Sequence, residues 1–193
     1  MTDLVGLGPS IGSRGYLYAF PNAPIKLPIG FGAEGYAWGD LIDGEEDDAM
    51  ESSAERLDAI FHELAGSYRL APGRAVLGGF SQGGMMAYRC GLTDPVSFRG
   101  VAALSARIPD PAGLEARLPS SRSQSVFVTH GAQDPLIPLE EGRRSRSFLE
   151  AHGYNPDYRE YEMGHEINQE VLEDLPGWIA GVLTPADLPR EGV

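Results

Sequence analysis

The chain predicts an α/β fold, a mostly parallel central sheet with helices on both faces. From about Arg74 onward, short apolar runs rich in β-branched residues alternate with longer helical patterns, the rhythm of strand–helix–strand units. Three of those runs lead into turns that carry Ser81, Asp134 and His165. At 193 residues and 42% hydrophobic, the chain can bury one full core, so a single domain over 1–193 is expected. It shows no internal repeat and no low-complexity tract.

Taken in order, Asp3–Pro9 reads as a helix or turn leading to a strand at Gly15–Phe20. Pro21–Asp48 is rich in Gly and Pro and reads as a long loop, a kind of segment often tied to function. Its Glu45-Glu46-Asp47-Asp48 run lacks interleaved ligand spacing and reads as a solvated, helix-initiating turn, not a cation site. Leu57, Ile60, Phe61 and Leu64 recur at i, i+3, i+4 and i+7, which predicts an amphipathic helix over 49–69. Pro72-Gly73 ends it and a strand begins at Arg74. After the Ser81 turn comes a helix, then a strand at Gly100–Ser105. The stretch 107–124 is a connection with a short helix around Leu114–Leu118. Ser125–His130 is a buried strand, and Leu139–His152 a helix closed by Gly153 in a left-handed C-cap position. Asp157–Tyr161 alternates as a strand, and a last helix spans about Glu166 to Leu183, with Pro176-Gly177 expected to kink or break it.

Residues 78–84 read Gly-Gly-Phe-Ser-Gln-Gly-Gly between the apolar run Ala75–Leu77 and the helical Met85–Cys90. A G-x-S-x-G between strand and helix is a nucleophile elbow: the sharp turn lifts the Ser81 hydroxyl off the sheet, and the glycines permit close approach. Dinucleotide and phosphate-loop readings fail, because neither G-x-G-x-x-G in register nor a closing Gly-Lys-Ser/Thr is present. The chain order Ser81, Asp134, His165 is that of α/β-hydrolases, and all three follow strands, at the carboxyl edge of a parallel sheet.

Gly79–Gly84, His130-Gly131-Ala132-Gln133-Asp134-Pro135-Leu136-Ile137-Pro138 and Gly164-His165-Glu166-Ile167 resemble the carboxylesterase/acyl-protein thioesterase family of small α/β-hydrolases. Gly35-Tyr36-Ala37-Trp38 is similar to the segment that family carries before its first long helix. The resemblance runs from about Asp3 to about Leu183. It implies a serine esterase that forms an acyl-enzyme on Ser81, released by water, and it also allows thioesters and lysophospholipids. One departure stands out. The family's His-Gly-x-Gly loop, whose backbone N–H supplies half of the oxyanion hole, is not found, and Asp3–Pro9 is similar to the stretch that follows it. The expected fold therefore lacks the N-terminal strand. A misplaced start, a true loss, or a donor from another segment or subunit would each account for this.

The residue types carry a mechanism. An imidazole, with an ordinary pKa of about 6.5, can take the serine proton during attack and return it to the leaving alcohol, the role expected of His165. Asp134 would hold that ring in the useful tautomer. The backbone N–H of Gln82, next after the nucleophile, is the expected oxyanion donor. Trp38, Tyr36, Met85, Leu136 and Ile137 are candidates to line an acyl or alcohol pocket. No inserted length suggests a large lid, which favours small, soluble, uncharged esters. The competing reading is a hydrolase-like binding domain that turns over weakly because its oxyanion hole is incomplete.

The remaining titratable residues read as structural. His62 lies off its helix's apolar stripe, His152 sits in a last helical turn, and His130 ends a strand. No Cys/His cluster or H-x-x-x-H pair suggests a metal, and no cofactor is expected. The single cysteine, Cys90, reads as a small core residue, and one cysteine fits a reducing cytoplasm. The formal charge of −13 argues against nucleic acid or an anionic membrane surface as partner. No run approaches the roughly 18–20 apolar residues of a membrane span. No charged n-region precedes an apolar stretch, so no signal peptide is expected. An unpaired apolar sheet edge would make a homodimer reasonable.

Overall fold

In a computed structural model, residues 4–11, 15–30, 33–39 and 48–183 are described. The strands are β1 (Ile25–Gly30), β2 (Ala33–Ala37), β3 (Ala75–Phe80), β4 (Phe98–Leu104), β5 (Ser125–Gly131) and β6 (Asp157–Tyr161). The helices are α1 (Gly8–Ile11), α2 (Asp48–Ser67), α3 (Gln82–Met86), α4 (Pro111–Arg117), α5 (Leu139–Ala151) and α6 (Gln169–Val182). A π-helical turn at Ala87–Gly91 prolongs α3.

Strands β3 to β6 form one parallel sheet in the order β3-β4-β5-β6. Every neighbouring pair is joined through a helix, as parallel pairing demands. Alternate strand residues face opposite layers. Val101, Ala103, Val126 and Val128 pack with Leu57 of α2, Met86 of α3 and Leu149 of α5. Ala102, Leu104 and Phe127 face the other way, against Val171 and Leu175 of α6. Full burial of such side chains contributes about 1.5–3 kcal/mol each. Buried Gln124 joins the layers' ends, its Nε2 donating to the Gly91 and Phe98 carbonyls at 2.6 and 3.0 Å.

The helices follow the sequence pattern closely. Asp110 caps α4 by accepting from the Gly113 N–H at 2.9 Å, and Asn168 caps α6 from the Val171 N–H at 3.0 Å. Gly153 holds φ 85° after α5. Helix α6 continues through Pro176.

Two expectations are corrected near the N-terminus. Gly15–Phe20 runs outside any strand: its alternating aromatics stack on one another, Tyr18 on Phe20 with centroids 6.3 Å apart, without pairing to β3. The loop expected over 21–48 instead contains the antiparallel hairpin β1–β2, with Ile25 opposite Ala37 and a register shift between Pro28 and Gly30. Glu45, Glu46 and Asp47 lie outside the described residues. Beside β3 an apolar cleft of about 640 Å³ opens among Leu7, Tyr18, Phe61, Val76, Phe80 and Leu175. Neither Ser81, His165 nor Trp38 lines it. No helix among the described residues is long and apolar enough to cross a membrane.

Candidate active site

The carboxyl ends of β3, β4, β5 and β6 lie side by side, with Phe80 opposite Leu104, Leu104 opposite Thr129, and Gly131 opposite Tyr161. Beyond β3 the backbone turns at Ser81 with φ 55° and ψ −121°, a conformation rare for a residue with a side chain. The Ser81 N–H donates to the Leu104 carbonyl at 2.9 Å, pinning the turn to the neighbouring strand. The glycines are required sterically. A β-carbon on Gly79 would fall 2.2 Å from the Gly83 carbonyl carbon, and one on Gly84 would fall 2.6 Å from the Ala106 Cβ.

The β5 and β6 loops are tied together in the same way. Ala132 N–H donates to the Tyr161 carbonyl at 2.8 Å, and Gln133 N–H to that of Met163 at 3.0 Å. A β-carbon on Gly131 would meet the Gly164 carbonyl oxygen at 2.3 Å, so only glycine lets the two loops approach this closely.

These contacts bring three distant side chains into one line. His165 Nε2 lies 2.9 Å from Ser81 Oγ, across 84 residues of sequence. His165 Nδ1 lies 2.7 Å from Asp134 Oδ2. A carboxylate can only accept, so Nδ1 carries the proton and Nε2 is free to accept from the serine hydroxyl. The Phe80 ring backs the imidazole at a centroid distance of 4.7 Å.

Asp134 is fully buried at its side chain. Its Oδ1 accepts from the Leu136 and Ile137 N–H groups, each at 2.9 Å. Burial pulls this carboxyl upward, but the Ile137 N–H, the His165 ring and the Leu136 N–H together outweigh it and hold it below the usual carboxylate range. Asp134 is therefore an ionised acceptor at neutral pH.

Gln82 opens α3, where a backbone N–H has no carbonyl one turn earlier within the helix. Its side chain reaches the end of the β1–β2 hairpin: Oε1 accepts from the Trp38 N–H at 3.0 Å and Nε2 faces the Gly39 carbonyl at 3.4 Å. Nothing in the local sequence signalled this contact, because its partners lie more than forty residues upstream. Of the candidate lining residues, Met85 and Ile137 belong to the buried core. Leu136 is 71% exposed, and Tyr36 and Trp38 are half-buried.

The other histidines are engaged elsewhere. His62 and His152 hold carbonyls within their own helices, Asp58 at 2.8 Å and Phe148 at 2.7 Å. His130 is fully buried and bonds the Ile137 carbonyl. No group of three or more His, Cys, Asp or Glu residues is arranged to hold a metal among the described residues.

Comparison with known proteins decides the family: the model for phospholipase/carboxylesterase matches residues 13–183. The chain belongs to the phospholipase/carboxylesterase family. It is a serine hydrolase with an α/β-hydrolase fold. Among this family's sequences, acyl-protein thioesterase 1 of Mycosarcoma maydis is 32% identical over 186 residues, covering 86% of this chain and 78% of the relative. The crystal structure of esterase PE8 is 31% identical, with a TM-score of 0.66 over 77% of this chain and 71% of that one. Arabidopsis thaliana SOBER1 superposes with a TM-score of 0.82 over 94% of this chain and 92% of that one; at 21% identity it is a likeness of fold.

Proposed function

We propose that this family member hydrolyses small to medium-chain carboxylic esters through an acyl-enzyme on Ser81. The observation that carries the reading is the hydrogen-bonded line from Asp134 Oδ2 through His165 to Ser81 Oγ. Ser81 Oγ attacks the ester carbonyl carbon while its proton passes to His165 Nε2. The imidazolium is stabilised by ionised Asp134. The carbonyl oxygen takes up negative charge beside the Gln82 backbone N–H. Collapse of the tetrahedral intermediate breaks the bond to the leaving oxygen, which receives the proton from Nε2. Water then attacks the acyl-enzyme by the same relay, releasing the acid and restoring the Ser81 hydroxyl.

A second substrate class has its own support. The likeness to an acyl-protein thioesterase favours S-acyl substrates, whose thiolate leaves by the same steps. Lysophospholipids fall under the same chemistry, as carboxylic esters. A weakly active binding domain is disfavoured by the aligned serine and imidazole.

Hydrolysis of p-nitrophenyl acetate, butyrate and octanoate tests the reading, with Ser81→Ala assayed beside the native chain. Turnover that vanishes in the variant supports it, and the chain-length trend sizes the acyl site. Equal rates in the two proteins, or none in either, overturn it. An S-octanoyl peptide assayed in parallel ranks ester against thioester.

A further inference from the structure

We propose that the Gln82 side chain is a positioning residue that fastens Trp38 across the nucleophile elbow, so that the indole forms a substrate-facing wall of the site. This rests on the reading of Ser81 as nucleophile. A primary amide has one acceptor and one donor face, and Gln82 applies both to consecutive residues. Oε1 takes the Trp38 N–H at 3.0 Å and Nε2 offers a proton to the Gly39 carbonyl at 3.4 Å. The backbone leaving β2 is thus held by a side chain in the manner of a sheet partner.

The clamp has a defined consequence for the indole. Gly83, two residues beyond the candidate nucleophile, would place a β-carbon 4.0 Å from Trp38 Nε1, with no other atom from outside its own helical turn within that distance. The indole N–H therefore stands over the first turn of α3, while the half-buried ring packs against the core cluster to which Met85 belongs. A half-buried ring with a polar edge is well suited to an ester's acyl or alcohol group. Because the clamp uses only the side chain, the Gln82 backbone N–H at the oxyanion position is a separate contribution.

That separation makes the test selective. Gln82→Met keeps the backbone N–H and much of the side chain's length but neither accepts nor donates in this geometry. It is expected to raise KM for p-nitrophenyl butyrate about tenfold, with kcat within about threefold of native, as loss of uniform binding requires. Trp38→Ala should reproduce the KM effect, and the double variant should be no worse than Trp38→Ala alone. Gln82→Glu retains the acceptor for the Trp38 N–H and should restore part of the native KM. Additive effects in the double variant, or a fall in kcat at unchanged KM, overturn the proposal.

A readout independent of turnover separates this from failure of the esterase reading. The chain has two tryptophans, so in a Trp178→Phe background Trp38 is the only indole. Gln82→Met should then shift its emission to longer wavelength and raise acrylamide quenching, whereas Ser81→Ala should do neither. Unchanged emission in Gln82→Met overturns the clamp whatever the enzyme hydrolyses.

Discussion

His130 Nε2 and the Ile137 carbonyl oxygen are 2.8 Å apart, closing a loop of i to i+7 span around Asp134. The carbonyl can only accept, so Nε2 carries the proton. Nδ1 packs against Gly142, where a β-carbon would come within 2.6 Å. The same Ile137 offers its N–H to Asp134 Oδ1, so one residue, through its two flanking peptide groups, links the buried imidazole to the carboxylate facing His165. His130→Leu should leave a buried carbonyl without a donor, a cost of about 1–3 kcal/mol, and lower kcat by loosening Asp134. His130→Gln, which can still donate, should recover part of both. Urea midpoints and kcat for the two variants check this; parent-like values in His130→Leu would show that other contacts hold the loop.

Asp134→Asn should reduce kcat on the order of 10⁴-fold, because an amide can present N–H to His165 Nδ1 and favour the wrong tautomer. Its effect on stability is pH-dependent. The native carboxyl is held below its unfolded range, so its contribution is present above the unfolded pKa of about 3.9 and lost as pH falls through the lower native value. Unfolding midpoints from pH 7 to pH 3 should fall more steeply in the native chain than in Asp134→Asn. Parallel curves would refute this.

The elbow glycines should separate sharply. Gly79→Ala would drive a β-carbon to 2.2 Å from backbone of Gly83, and rigid backbone cannot yield cheaply, so a loss of at least about 1–3 kcal/mol is expected. Gly83→Ala meets only the Trp38 indole nitrogen at 4.0 Å and should leave the melting temperature within a degree or two. Thermal melts of the two proteins decide it.

Cys90 is buried, and burial, with the Asp58 carboxylate adding to it, pushes its thiol up to about 12. The thiolate is the reactive form. Iodoacetamide at pH 8 should leave the folded chain unlabelled for as long as it stays folded. Labelling that precedes loss of the circular-dichroism signal would contradict this.

The parallel sheet and the Ser81–Asp134–His165 line were legible because each depends on short-range pattern. Apolar runs mark β3, β4 and β5, and the turns after β3, β5 and β6 carry their own glycine or histidine signal. The hairpin β1–β2 was not legible. Ile25–Gly30 includes Lys26 and Pro28, and its pairing with Ala33–Ala37 rests on partner strands, not on alternation. Gly15–Phe20 failed in the opposite sense: it alternates well, yet propensity does not supply a hydrogen-bonding neighbour. Pro176 ended nothing, since neighbours around it, such as Leu175, are buried against the sheet, and tertiary packing outweighs one missing N–H. The fastenings at His130 and Gln82 were invisible because their partners are main-chain carbonyls and amides, which mark no residue type apart from proline's missing N–H.

Ser81, Asp134 and His165 hang from the ends of β3, β5 and β6, with β4 holding the first apart from the others. The serine reaches its imidazole only across 84 residues, so no local segment can rehearse the arrangement. During refolding from urea, helical ellipticity should return first and hydrolysis only when the last strand docks. The enzyme thus carries its own clock for the closing step of folding.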